Sequence, residues 1–270
     1  MQKNDDRTNA RNYHISGKQS SIDSLETILN KEIRLRGMER REYVGFDHQQ
    51  TWFWEGKIMM LFYGKKVCFI GAHPDDIELG CGAFISNING KTDILCATLS
   101  DNQSNPLLTN LVEEHYHSMA ILGVSRDQVK LEAFTTRRFP ELRQEILEYL
   151  YQLNHEYQPD IVITHSRADI HQDHQQTTEE VLRAFRGTTV LGFDALRSSY
   201  GFFPHFLVEV TAADVERKIQ ALSEYSTYND KYYFDDSVLR ATLIRHGALA
   251  ERPFAEGFDI LRIVGNFDVC

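Results

Sequence analysis

From residue 66 onward, apolar and polar residues fall into blocks whose lengths set the secondary structure. Short apolar runs at Val67–Gly71, Thr92–Leu99 ("TDILCATL"), Val129–Phe134 and Asp160–Thr164 ("DIVIT") read as buried strands. Segments with apolar residues three and four apart lie between and after them and read as helices. They are Glu78–Asn87, Leu111–Leu122 stopped by Gly123, Glu141–Glu156 ended by Pro159, and His174–Phe185 stopped by Gly187. Strands alternating with helices predict an α/β, Rossmann-like fold, a mostly parallel sheet with helices on both faces. Such sheets hold ligands outside the carboxyl ends of their strands, near a switch in strand order. After Gly187 the alternation loosens. "TTVLGFDAL" and "HFLVEVT" read as strands, "AADVERKIQALSEY" as a helix capped near Thr211 or Ala213, and "GFDILRIVG" as a closing strand.

Upstream, the first 20 or so residues are polar and are expected to be loosely attached or disordered. "SSIDSLETILNKEIRLRG" reads as an amphipathic helix with Ser21 as its N-cap and Ile22, Leu25, Ile28, Leu29 and Ile33 on one face. The aromatic "TWFWEGKIMMLFYG" reads as an entry strand or hairpin. The expected organisation is an N-terminal extension over 1–55 and one elaborated domain over 56–270. The extension would cover a sheet edge or build the contact of a homo-oligomer.

Composition changes this picture little. Of 270 residues, 42% are hydrophobic and 25% charged, within the range of globular domains. A formal net charge of −10 argues against nucleic acid or an anionic membrane as the main partner, since both reward basic patches. The four cysteines form no CxxC pair, and Cys68 and Cys96 sit inside strand-like runs, so they read as reduced, buried apolar residues. No apolar leader opens the chain, and its longest apolar segments are too short to span a bilayer, so a cytoplasmic protein is expected.

The chemistry gathers at two strand ends. The first strand stops at "HPDD", where Pro74 suits the first turn of a helix and His73 and Asp76, three apart, can be aimed at one point. The strand at Ile161–Thr164 is followed by His165, Asp169, His171, Asp173 and His174 within ten residues. A parallel sheet can bring the two clusters together. His73, Asp76 and His174 would then offer two imidazoles and a carboxylate with open positions left over, the count of a catalytic rather than a structural metal site. The plainer readings are a helix-capping turn for "HPDD" and an ordinary loop for the histidines. The glycines of "ELGCGAF" do not make a dinucleotide fingerprint, because they follow the helix start and lack a full GxGxxG.

At these residues the chain resembles the PIG-L, or LmbE-like, family of zinc-dependent N-deacetylases acting on N-acetylglucosamine-containing substrates. The family's AHPDDxE motif stands here as "AHPDDIELGCGAF" and its DxHxDH motif as "DIHQDH"; softer likeness lies in "LGV", "RKIQALSEYSTY" and "FAEGFDILR". The resemblance implies that His73, Asp76 and His174 bind the metal, zinc or another divalent ion, and that Asp75 is the general base. It implies that His171 polarises the acyl oxygen or protonates the leaving amine, with Asp169 or Asp173 orienting a histidine. A small amino-sugar substrate follows from it.

The chain also departs from the family pattern. A Gly-rich "TDGExG" is replaced by "LSDNQSNPLLTNLVEE", and an arginine expected in the next helix falls on Leu111. Arg137, Arg138 and Arg143 are candidates to replace it, and Glu256 is a candidate to line the pocket. The alternatives are an amidase on a larger amide conjugate and a catalytically silent metal- or nucleotide-binding module.

Overall fold

The computed structural model describes residues 61–103 and 105–265. The helix expected from Ser21, and the rest of the extension, lie outside them. One sheet is formed by β1 (Lys66–Gly71), β2 (Asp93–Thr98), β3 (Val129–Leu131), β4 (Ile161–His165), β5 (Thr189–Phe193), β6 (Phe206–Glu209) and β7 (Ala255–Arg262), in the order β3-β2-β1-β4-β5-β7-β6. The first five strands of chain order pair in parallel, while β7 lies antiparallel between β5 and β6. The order turns back between β1 and β4, so the switch point lies at their carboxyl ends.

Side chains alternate across the sheet, and both faces are covered, which is why the parallel strands read as continuous apolar runs. Val67 and Phe69 pack with Phe84 and Ile85 of α1 (Asp76–Ile88) and Met119 of α2 (Leu111–Ile121). Cys68 and Ile70 pack on the other side with Ile146 and Leu150 of α3 (Arg143–Tyr157) and Val181 of α4 (Gln172–Ala184). Cys68, Cys81 and Cys96 are buried and unbridged, and burial pushes their thiols up, away from the reactive thiolate. Among the described residues no helix is long and apolar enough to cross a membrane.

Two elements differ from expectation. The strand expected to reach Phe134 is regular only to Leu131; beyond it Glu132 N and Phe134 N donate singly to the carbonyls of Thr98 and Leu99. After α5 (Ala212–Ser223) comes α6 (Asp236–Leu249), which the periodicity missed. It buries Leu239, Leu243 and His246, but exposed Ile244 and Leu249 blur its stripe.

The glycines of α1 serve close packing. A Cβ on Gly80 would lie 2.3 Å from the Phe193 ring, and one on Gly82 would lie 3.0 Å from Lys218 Cγ. That approach lets Lys218 of α5 reach into α1, where its ammonium donates to the Leu79 carbonyl (2.6 Å) and pairs with Glu256 of β7 (2.6 Å). The Glu256 carboxylate in turn accepts from Ala83 N (3.2 Å) and Phe84 N (2.7 Å). Glu256 therefore clamps α1 to the sheet rather than lining the larger cavity described below.

Candidate metal centre and its cavity

The turn after β1 does not start the helix at Pro74. Asp76 N donates to the His73 carbonyl, which closes a turn with Pro74 at its second position and Asp75 at its third, and Asp76 is the first helical residue. Asp75 has φ 100° and ψ −31°, the third-position conformation of a type II turn, which glycine normally occupies. A non-glycine residue held there stores strain of about 1–3 kcal/mol. Its side chain makes no cap hydrogen bond and opens on a cavity of about 480 Å³.

Each imidazole is oriented by a carboxylate. His73 Nε2 donates to Asp173 Oδ2 (3.0 Å), and His174 Nδ1 donates to Asp169 Oδ2 (2.8 Å). Asp173 is itself fixed by the N–H groups of Arg137 (2.5 Å) and Phe139 (3.3 Å), and Asp169 by His171 N (2.8 Å) and Ser198 Oγ (2.9 Å). With those protons committed, the nitrogens left to meet an ion are His73 Nδ1 and His174 Nε2, which face each other at 3.2 Å. Asp76 Oδ2 lies 3.4 Å from each of them. Three such atoms so close together repel one another unless a proton or a metal cation joins them. A tetrahedral ion with bonds of about 2.0–2.1 Å has donor–donor edges of about 3.3–3.4 Å, so the spacing suits zinc or a similar divalent ion. Asp76 also accepts from His73 N (2.8 Å), which fixes its rotamer.

The titration tendencies of the ion-free protein agree with that geometry. Burial would depress His73, but its hydrogen bonds to Asp173 and Asp76 outweigh this and raise it to about 9. Burial lowers His174 to about 4. Asp76 is held well below the usual carboxylate range, because His174, His165 and His73 overcome its burial. Asp75 goes the other way, pushed well up by burial and by its neighbours Asp76 and Glu78, with His73 and Arg197 opposing.

His171 caps α4, its Nδ1 accepting from Asp173 N (3.2 Å), so its proton sits on Nε2. The ring stacks on His174 with centroids 4.4 Å apart and borders the cavity; burial and His73 keep it below its usual pKa, and hence neutral. His165, which ends β4, stacks on the other face of His174 at 3.9 Å and accepts from Ala72 N (3.0 Å). It pins the second cluster to the first.

The structure thus brings His73, Asp75, Asp76, His171 and His174 to one cavity, while Asp169 and Asp173 orient one histidine each. Of the three arginine candidates only Arg137 borders it; Arg138 pairs with Glu141, and Arg143 with Glu180 (3.1 Å). Leu111 is fully buried against Leu222, Tyr225 and Leu239, so that position presents nothing to the cavity. Arg197, Tyr228, Lys231 and Tyr233 also border it and were not read from the sequence. For Tyr228, Lys231 and Tyr233 the signal was faint, an aromatic "STYNDKYYF" with no periodicity, and Arg197, in "DALRSSY", carried none. Glu114 holds that segment through Ser226 Oγ (2.5 Å) and Thr227 N (3.3 Å).

Comparison with known proteins follows the same lines. Residues 68–185 match the family described as "PIG-L: GlcNAc-PI de-N-acetylase". The chain is 28% identical over 170 residues to the Escherichia coli (strain K12) protein named "Uncharacterized deacetylase YaiS", covering 60% of this chain and 91% of that one. Its fold is similar to the N,N'-diacetylchitobiose deacetylase of Pyrococcus horikoshii (TM-score 0.60, 17% identity, 84% of this chain, 100% of that one). It is equally similar to the 4-carboxy-2-hydroxymuconate hydratase of Pseudomonas putida KT2440 (TM-score 0.60, 16% identity, 75% of this chain, 99% of that one). One fold hosts both reactions, so the reaction here must be argued from the site.

Proposed function

Since the chain belongs to the PIG-L (LmbE-like) family through its segment 68–185, we propose that it is a metal-dependent N-deacetylase, hydrolysing the acetamide of an amino-sugar-containing small molecule. The observation that supports this best is Asp75, a carboxylate kept in a turn position suited to glycine, directly beside the three-donor cluster. Holding an ion does not require it; activating water does. That favours an enzyme over a silent binding module.

His73, Asp76 and His174 would hold the ion, zinc or another divalent metal that accepts nitrogen and oxygen donors. Once bound, it supplies Lewis acidity, making nearby water acidic and an amide carbonyl electrophilic. Asp75 removes a proton from the attacking water and returns it to the leaving nitrogen as the C–N bond breaks. Acetate and a free amine are the products. His171, neutral with its proton on Nε2, donates to the carbonyl oxygen as negative charge builds there. Asp173 and Asp169 keep the two metal-facing nitrogens in the correct tautomer.

The test is an acetate-release assay with metal-loaded protein on a panel of N-acetylated sugars, larger amide conjugates and an unsaturated hydroxy acid. Acetate release from the sugars is expected. The variant Asp75→Asn should keep the metal and lose about 10²–10⁴-fold in kcat. Near-normal turnover by that variant would remove Asp75 from the base role. Turnover of only the larger amides, or of the unsaturated acid, would replace the reaction assigned here.

A further inference from the structure

The catalytic cavity holds more positive charge than a neutral amino sugar calls for. Arg137, Arg197 and Lys231 border it, against the carboxylates of Asp75 and Asp76, in a chain whose formal net charge is −10. A bound divalent ion would tip the balance further. Seven of the thirteen described arginines meet a carboxylate, among them Arg126 with Glu113 (3.3 Å), Arg143 with Glu180 (3.1 Å) and Arg240 with Glu216 (2.7 Å). Arg197 instead lies over the Tyr233 ring, 5.3 Å from its centroid. Among the described residues no carboxylate lies within 4.0 Å of the guanidinium of Arg137 or Arg197. Among the same residues the one carboxylate that Lys231 meets is the adjacent, exposed Asp230.

Arg137 is also held in place at a cost. It has φ 67°, and of the five described non-glycine residues with positive φ, three border this cavity: Asp75, Asn102 and Arg137. Strain of this kind persists where the surroundings impose it, and functional sites are where it gathers. What imposes it on Arg137 is Asp173, whose Oδ2 accepts both Arg137 N and His73 Nε2. One carboxylate oxygen therefore sets a metal-facing imidazole and the backbone of a free cation together.

We infer that Arg137 and Arg197, with Lys231 beside them, form an acid-recognition subsite, and that the substrate carries a phosphate or carboxylate on the same sugar as the hydrolysed acetamide. The inference rests on the deacetylase reading for the amide and adds the charge. A planar guanidinium meets either acid through paired hydrogen bonds, and the local positive field draws in an anion that the rest of the acidic chain repels. Tyr228, Tyr233 and Asn102 also border the cavity and are offered to the hydroxyls of the sugar.

The experiment compares kcat/KM of the metal-loaded protein for N-acetylglucosamine, N-acetylglucosamine 6-phosphate and N-acetylmuramic acid. The acid-bearing sugars are expected to be preferred by about tenfold or more, the worth of one hydrogen bond to a charged group. The better of the two identifies phosphate or carboxylate. Arg137→Gln and Arg197→Gln should each reduce that preference, and rising salt should erode it. Arg137→Gly, which relieves the backbone, serves as a second variant should the glutamine fail to fold. Equal turnover of neutral and acidic sugars, or variants that keep the preference, would overturn the subsite and leave the deacetylase reading standing. Calorimetric binding of glucosamine 6-phosphate and of glucosamine separates the two ideas. If no acetamide is hydrolysed, tighter binding of the phosphate ester that is lost in the Arg137 and Arg197 variants still upholds the subsite, and equal binding refutes it.

Discussion

Asp173→Asn probes how far a carboxylate outside the donor triangle governs the ion. Oδ2 of Asp173 accepts from His73 Nε2 (3.0 Å) and Arg137 N (2.5 Å), and Oδ1 accepts from Phe139 N (3.3 Å). An asparagine must place its NH₂ at one of those positions. At Oδ2 it would face two N–H groups; at Oδ1 it faces one, at the longest of the three distances. The side chain should therefore settle with its oxygen toward His73, preserving the tautomer and giving up one weak bond. What changes is charge, since a neutral acceptor makes a hydrogen bond about half as strong as an ionised one. Support of this kind is worth about 10–100-fold in metal affinity, about 1.4–2.7 kcal/mol. The assay is calorimetric titration of chelator-stripped protein with Zn²⁺ at pH 7.5, followed by kcat at saturating metal, which should largely recover. A change in affinity below about twofold would show that Asp173 does not tune the site, and a loss beyond about 10⁴-fold would mean that it acts as a ligand itself.

Proton release is a second test. With His73 at about 9, the ion-free protein carries that proton at neutral pH, whereas His174, at about 4, carries none. Below pH 9 each ion must displace about one proton, so affinity should rise about tenfold per pH unit between 6.5 and 8.5. A proton count near zero, from the dependence of binding enthalpy on buffer, would contradict the hydrogen-bond assignment. For stability, Lys218→Met leaves Glu256 buried without its cation, a loss of about 3–5 kcal/mol, or about 6–20 °C in Tm for a domain of this size. Adding Glu256→Gln should restore part of it; an unchanged Tm in the single variant would show that the pair does not clamp α1.

Local chemistry was legible in the sequence where a few adjacent residues build it. His73, Asp75 and Asp76 fall in one turn, and His171 and His174 in the first turn of one helix, so naming both strand ends was enough to bring them together once the sheet was taken as parallel. The long-range partnerships were not legible. Glu256 finds Lys218, 38 residues away, and neither position carries a periodic signal that reveals the other. Arg197 and Tyr233 reach the cavity from segments after Gly187 whose shape depends on tertiary packing. Pro74 illustrates a narrower failure: proline suits both the first turn of a helix and the second position of a turn, and only the backbone of Asp75 decides between them.

That backbone has an evolutionary consequence. A descendant released from the need to turn over substrate would gain by exchanging Asp75 for glycine, which relaxes the chain there and removes a crowded acid in one step. Silent offshoots of this lineage should therefore drift toward "HPGD", outlasting their working relatives on heating while still gripping the ion.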